Sequence, residues 1–113
     1  MEQAKRHGRI LVVDDEANAR LALNDLLREE GHKVETAADA FKALGKIDSF
    51  GPDLVLTDLK MPGMDGIELM QKIRARPEPI PVVVMTAFGA VETAVSAMRQ
   101  GAIDYLVKPI NFE

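Results

Sequence analysis

The stretch DLVLTDLKMPGMDG, residues 53–66, joins a short apolar run to a segment rich in turn-forming residues. Its apolar part, residues 54–57, has the length and the composition of a buried strand. The next residue is Asp58, and the Pro, Gly and Asp residues beyond it predict a turn. The sequence therefore places a carboxylate at the carboxyl end of a buried strand.

Two other apolar runs of the chain also end in charged residues. Residues 10–13 are followed by Asp14 and Asp15, and residues 105–107 are followed by Lys108. In an open parallel sheet, ligands bind outside the carboxyl ends of the strands, at the switch in strand order. Taken with the first run, these termini predict that three acids and one lysine converge at one edge of the sheet, where they would form a metal and phosphoryl site.

Strand-like and helix-like segments alternate along the whole chain. Runs rich in Val, Ile and Leu predict five strands, and apolar residues at helical spacing predict four helices between them. Such alternation is typical of βαβ units, so the predicted fold is α/β, a doubly wound five-stranded parallel sheet. The predicted strands cover about residues 9–14, 33–37, 53–57, 81–85 and 104–108, and the predicted helices about residues 16–30, 39–48, 66–76 and 90–100.

The length of 113 residues suits a single domain with one core. We expect residues 1–8 to be an N-terminal tail and residues 9–113 to be the domain. The four residues after Pro109 are too few for a helix that covers the end of the sheet. We therefore expect the domain to be truncated at the start of its last helix.

Composition and charge exclude several classes of function. No apolar run approaches the roughly 20 residues that span a bilayer, and the first residues lack the apolar core of a signal peptide, so we expect a cytoplasmic protein. With no cysteine and two isolated histidines, which we expect at the surface, any metal must be held by oxygen. The net charge of −4 and the lack of a basic cluster argue against direct binding of nucleic acid or membrane by this segment.

The charged strand ends belong to longer motifs that resemble the receiver domain of bacterial two-component response regulators. These motifs cover nearly the whole chain and follow one another in the same order as in that family. The resemblance implies a flavodoxin-like (CheY-like) fold with strand order 2-1-3-4-5. The motifs are Asp14-Asp15, residues 53–66, Met85-Thr86-Ala87 after the fourth predicted strand, and residues 104–109, DYLVKP.

The resemblance implies that Asp58 accepts a phosphoryl group from a sensor histidine kinase. It also implies that Mg²⁺ is bound directly by Asp15 and Asp58, through water by Asp14, and by the backbone carbonyl of Lys60. Elementary charge arguments agree, because three carboxylates and one lysine leave a charge of −2 that one divalent cation neutralises, and oxygen ligands suit Mg²⁺ or Mn²⁺. A carboxylate nucleophile forms an aspartyl phosphate. Such a domain would catalyse only its own phosphorylation and dephosphorylation, and we do not class it as an enzyme.

The resemblance further implies how phosphorylation is sensed. Thr86 and Lys108 would bind the phosphoryl group, and Thr86 with Tyr105 would form the switch. The Lys108-Pro109 peptide bond would be cis. Phosphorylation would change the charge at the site, and this change would favour one packing arrangement of Thr86 and Tyr105 over another.

The fourth predicted helix has a wider apolar arc than burial against one sheet requires. Alanine strongly favours helices, which would explain part of this width. The other interpretation is a contact surface made with the fifth strand, because residues 87–98 resemble receivers of NtrC-type activators. That resemblance implies an ATPase and DNA-binding output domain and a homodimer through helix four and strand five. The arc consists of Val91, Ala94, Val95 and Met98, which we expect to face inward, with Ala90 and Ala97 beside them.

Two other functions fit parts of the pattern. A small Mg-dependent phosphatase of the haloacid dehalogenase type also uses a strand-end aspartate. Its nucleophile lies in an Asp-x-Asp motif on the first strand, however, whereas Asp14 and Asp15 are adjacent. A degenerate receiver would act only as a binding module, although no acidic, Thr or Lys position is missing. Single residues also have structural explanations, since one of the paired acids would cap the first helix and Lys108 would end a strand in solvent.

Overall fold

The computed structural model describes residues 8–87 and 91–108, without the side chain of Val91. Strands and helices alternate within these residues in the order that the sequence predicts, and their ends differ from the predicted ends by at most two residues. The elements are β1 (Arg9–Val13), α1 (Ala17–Glu29), β2 (Lys33–Ala37), α2 (Ala40–Phe50), β3 (Leu54–Asp58), α3 (Gly66–Arg74), β4 (Val82–Thr86), α4 (Val91–Arg99) and β5 (Asp104–Val107).

The five strands form one parallel sheet in the order β2-β1-β3-β4-β5. This is the predicted order. Because β2 lies on one side of β1 and β3 lies on the other, the switch in strand order falls between β1 and β3. The register pairs Val13 with Thr57, so the residues that follow them, Asp14 and Asp58, lie side by side at the carboxyl edge. No helix of the described residues is long and apolar enough to cross a membrane.

Both faces of the sheet are covered, because successive side chains of a strand point to opposite faces. In β1, Leu11 and Val13 belong to one apolar cluster, with residues of α2, α3 and α4. Ile10 and Val12 belong to the other, with residues of α1. Burial on both faces explains why the strands are continuous apolar runs rather than alternating ones.

The orientation of α4 differs from the prediction. Ala94 and Ala97 are fully buried against the sheet, whereas Val95 and Met98 are 39% and 37% exposed. The expected inward stripe was therefore wrong for Val95 and Met98, and the side chain of Val91 lies outside the described residues. Alanine is small enough to let the helix lie close to β4 and β5, and the wide apolar arc leaves the larger side chains facing outward.

Helix starts follow local side-chain chemistry. A capping box opens α3, since the Asp65 carboxylate accepts from the N–H of Glu68 and the Glu68 carboxylate accepts from the N–H of Asp65. The N-cap of α2 is Asp39, whose carboxylate accepts from the N–H of Lys42 at 2.8 Å. This cap helps α2 to form in spite of the glycine in its middle, Gly45.

Candidate functional site

Four of the predicted site residues meet at the carboxyl ends of β1, β3 and β5. Carboxylate oxygens of Asp14, Asp15 and Asp58 lie within 4.8 Å of one another. Lys108 Nζ lies 2.8 Å from Asp14 Oδ2 and 3.2 Å from Asp58 Oδ2. The convergence of three acids and one lysine that the sequence predicts is therefore confirmed.

Asp14 is fully buried, and most of its polar groups are satisfied. Its N–H donates to the carbonyl of Ala37 at 3.1 Å, and its Oδ1 accepts from the N–H of Glu16 at 3.0 Å. Its Oδ2 has no hydrogen-bond donor at a favourable angle, so the close Lys108 ammonium acts on it as a charge. A buried carboxylate oxygen without a donor is costly unless a cation compensates it.

The backbone of Asp14 is held by a residue that the sequence analysis missed. Arg20, in α1, donates from Nη1 to the carbonyl of Asp14 at 2.8 Å. The N-cap of α1 is Glu16, whose side chain makes no capping bond. Asp14 therefore closes the turn before α1 rather than capping the helix. The available signal in the sequence was the place of Arg20 in the first predicted helix, six residues beyond Asp14.

Burial controls the ionisation of Asp58. Its side chain is 14% exposed, and burial raises the pKa of its carboxyl above the ordinary 3.8. Lys108 lowers the pKa through a hydrogen bond and its charge, the charge of Asp14 raises it, and the N–H of Lys60 lowers it by donating to the carboxylate. The net effect is a carboxyl group that ionises at higher pH than an exposed one.

Lys108 responds in the opposite sense to its surroundings. Burial by itself lowers the pKa of the ammonium, but its close contacts with the carboxylates of Asp14 and Asp58, and the negative charges of both, outweigh burial. The pKa of Lys108 therefore lies above its ordinary 10.5, and the group is charged at neutral pH. Lys108 therefore forms ion pairs with Asp14 and Asp58. This contact argues against the interpretation that Lys108 only ends a strand in solvent.

The donor set fits a divalent cation of the Mg²⁺ kind. Three carboxylates around one ammonium leave an excess of two negative charges, and all the side-chain donors are hard oxygens. The buried Oδ2 of Asp14, which has the Lys108 ammonium beside it, also favours positive charge at the site. The predicted ligand role of the Lys60 carbonyl stays a prediction, as do the individual roles of the three acids.

The loop that follows Asp58 depends on Gly66. A Cβ atom at this position would lie 2.2 Å from the Asp58 carbonyl oxygen and 2.9 Å from Leu59 Cα. The N–H of Gly66 also donates to the Leu59 carbonyl at 2.9 Å. Only glycine lets the start of α3 pack this closely on the backbone of the site. The sequence analysis used Gly66 as a turn signal and missed this contact.

Thr86 and Lys108 line one cavity of about 180 Å³ together with Asp58. Thr86 is buried at the end of β4, where its carbonyl accepts from the N–H of Lys108 at 2.8 Å. Tyr105 is half-buried in β5 and packs against the core. The switch roles of Thr86 and Tyr105 stay predictions. The predicted cis bond before Pro109 lies outside the described residues.

The surface has a small cavity beside Asp58 and a larger cleft elsewhere. Thr93, in α4, also lines the cavity beside Asp58, and the sequence analysis missed it. A larger cleft of about 720 Å³ lies before β3 and β4, at the opposite edge of the sheet, and is lined by Asp48, Arg76 and several prolines. This cleft therefore lies away from Asp58 and Lys108, which line the smaller cavity.

The chain matches the response regulator receiver domain family over residues 10–113. It is 45% identical over 104 residues to the transcriptional regulatory protein ZraR of Klebsiella oxytoca, covering 92% of this chain and 24% of that protein. It is 37% identical over 105 residues to sporulation initiation phosphotransferase F of Bacillus subtilis (strain 168), covering 93% of this chain and 85% of that protein. The chain thus spans about a quarter of the length of ZraR and most of the second relative.

Solved structures agree with the sequence relatives. The receiver domain of NtrX from Brucella abortus is 42% identical, with a TM-score of 0.85 over 90% of this chain and 87% of that one. NtrX from Brucella abortus in complex with ADP is 41% identical, with a TM-score of 0.89 over 94% of this chain and 24% of that one. These matches exclude the haloacid dehalogenase interpretation. Two of these relatives, ZraR and NtrX, are regulators of the NtrC type, and the chain belongs to the response regulator receiver domain family.

Proposed function

We propose that this receiver domain accepts a phosphoryl group on Asp58 from a sensor histidine kinase in a Mg²⁺-dependent reaction. The observation that carries the proposal is the position of Asp58. Its partly exposed carboxylate borders a cavity, Lys108 Nζ lies 3.2 Å away, and two other carboxylates surround it. This arrangement suits a nucleophile whose reaction is promoted mainly by positioning and charge.

The phosphoryl transfer follows from the contacts of Asp58. Lys108 engages Oδ2, so Oδ1 is the oxygen better placed to attack phosphorus. A bond forms between the Asp58 carboxylate and phosphorus, and the bond between phosphorus and the kinase histidine breaks, leaving the electron pair on the imidazole nitrogen. Held by Asp14, Asp15, Asp58 and the Lys60 carbonyl, Mg²⁺ would supply the positive charge that offsets the phosphoryl oxygens.

We propose that Lys108 and Thr86 then bind the phosphoryl oxygens. The ammonium of Lys108 is already charged and directed at the site, and the Thr86 side chain lines the same cavity. Movement of Thr86 toward the phosphoryl group would free space for Tyr105, which lies on the neighbouring strand beside Val84. The switch would then be a change of packing driven by a local charge.

The output surface in this proposal is formed by α4 and β5. Val95 and Met98 of α4, Ile103 before β5 and Val107 of β5 are all more than a third exposed although apolar. Exposed apolar side chains on these two neighbouring elements suit a protein contact better than solvent. We propose a homodimer through this surface, and control of an ATPase and DNA-binding output domain in the cytoplasm, as the transcriptional relatives suggest.

The phosphoacceptor is tested by labelling. The purified chain with Mg²⁺ and radiolabelled acetyl phosphate should retain about one phosphoryl group per molecule, and hydroxylamine should release it as expected of an acyl phosphate. Asp58→Asn should retain none, whereas Asp25→Asn, which removes an exposed carboxylate from α1, should label like the parent. Full labelling of the Asp58→Asn variant would contradict the assignment. An unlabelled parent would favour a degenerate receiver, and release of many equivalents of phosphate would indicate a phosphatase.

A further inference from the structure

The cavity beside Asp58 has one wall that belongs to a helix rather than to the sheet edge. At roughly 30 Å³ per water molecule, a volume of about 180 Å³ holds about six waters, so a phosphoryl group on Asp58 would fit with solvent beside it. The residues that line this cavity are Asp58, Leu59, Lys60, Thr86, Ala87, Thr93 and Lys108.

Thr93 is the member of this lining that α4 contributes. It is the third residue of the helix, and the next residue, Ala94, is fully buried against the sheet. The Thr93 side chain is exposed, and no hydrogen bond joins its hydroxyl to another of the residues 8–87 and 91–108. A hydroxyl group with an unused donor therefore borders the space beside the phosphoacceptor.

We propose that the Thr93 hydroxyl donates a hydrogen bond to the phosphoryl group on Asp58. The inference rests on the proposed phosphorylation of Asp58. A phosphoryl group brings three strong acceptor oxygens, and because each can accept more than one hydrogen bond, they leave room for a donor beside Mg²⁺, Lys108 and the Thr86 side chain. Through Thr93, the first turn of α4 contacts the phosphoryl group directly. The helix then senses phosphorylation by a second route, separate from the one through Thr86 and Tyr105.

The experiment uses beryllofluoride, a tetrahedral mimic of the phosphoryl group, with Mg²⁺ present. Thr93→Val keeps the size of the side chain and removes the hydroxyl, and Thr93→Ser restores it. Because a hydrogen bond to a charged acceptor is lost, Thr93→Val should bind beryllofluoride about tenfold more weakly than the parent by calorimetric titration. Thr93→Ser should bind like the parent. The matched control is Ser96→Ala, which removes a hydroxyl from the same helix one turn further along.

A second readout separates a direct contact from a structural effect. Beryllofluoride should shift the amide resonances of Thr93 and Ala94 in the parent and in Thr93→Ser, and much less in Thr93→Val. Equal affinity and equal shifts in the parent and Thr93→Val would overturn the inference while leaving phosphorylation of Asp58 intact. A parent that neither binds beryllofluoride nor becomes labelled by acetyl phosphate would overturn the proposed function itself.

Discussion

Replacement of Asp58 by Asn should stabilise the metal-free protein, although it removes the proposed nucleophile. Burial raises the pKa of Asp58 above 3.8 in spite of Lys108. The folded protein therefore holds this proton more tightly than the unfolded chain does. Stability is consequently lost as the pH rises from 3.8 through the raised pKa, because ionising the group costs more in the folded state. Asn has nearly the same size and cannot ionise, so the variant avoids this loss at neutral pH.

The geometry of the site sets the size of the effect. The carboxylate oxygens lie within 4.8 Å of one another, and at that distance two carboxylate charges repel by roughly 3.5 kcal/mol at an effective dielectric constant near 20. Lys108, at 3.2 Å, attracts Asp58 by roughly 5 kcal/mol under the same assumption. Asp58 has two acidic neighbours, of which Asp15 is exposed and more strongly screened, so attraction and repulsion nearly cancel. The burial cost of the charge then leaves a gain of about 1 to 2 kcal/mol for Asp58→Asn.

Thermal unfolding in EDTA measures this gain. For a domain of this size, about 1 to 2 kcal/mol corresponds to a rise of about 4 to 8 °C in melting temperature. The rise should be present at pH 7 and should shrink as the pH falls toward 3.8, where the parent carboxyl becomes protonated in both states. Asp25→Asn should leave the melting temperature nearly unchanged. A lower melting temperature for Asp58→Asn, or a gain that does not depend on pH, would refute the reasoning.

Four further outcomes are expected. Millimolar Mg²⁺ should raise the melting temperature of the parent but hardly that of Asp14→Asn, and equal stabilisation in both would show that the metal binds elsewhere. Gly66→Ala should lower the unfolding free energy by about 2 kcal/mol or more and slow labelling by acetyl phosphate, because its Cβ would meet the backbone of the site. Gly45→Ala, with nothing within 4 Å of its Cβ, should instead stabilise α2 by about 0.5 to 1 kcal/mol in urea unfolding. Thr86→Ala should still accept phosphate, but the NMR shift that phosphorylation causes at Tyr105 should disappear, and an undiminished shift would argue against the coupling.

Sequence patterns were sufficient to predict the order of the elements and the charged residues that end the strands. Buried parallel strands are continuous apolar runs, and the connections between them must be long enough for a helix, so both appear as local signals. Asp14, Asp58 and Lys108 were found because the carboxyl ends of parallel strands share one edge of the sheet. The strand order came from the resemblance of longer motifs to a known family.

Other features of this domain required the folded structure. Apolar periodicity showed that α4 has a wide apolar arc, but it did not show that Ala94 lies inward and Val95 outward, because that choice depends on how closely the helix approaches the sheet. The close contact of Gly66 with Asp58 and the place of Thr93 in the cavity join residues from different elements. The direction of the Asp58 pKa shift depends on burial set against the nearby charges. Each of these is a distance or a burial that arises when separate segments pack together, and no local pattern in the chain encodes it.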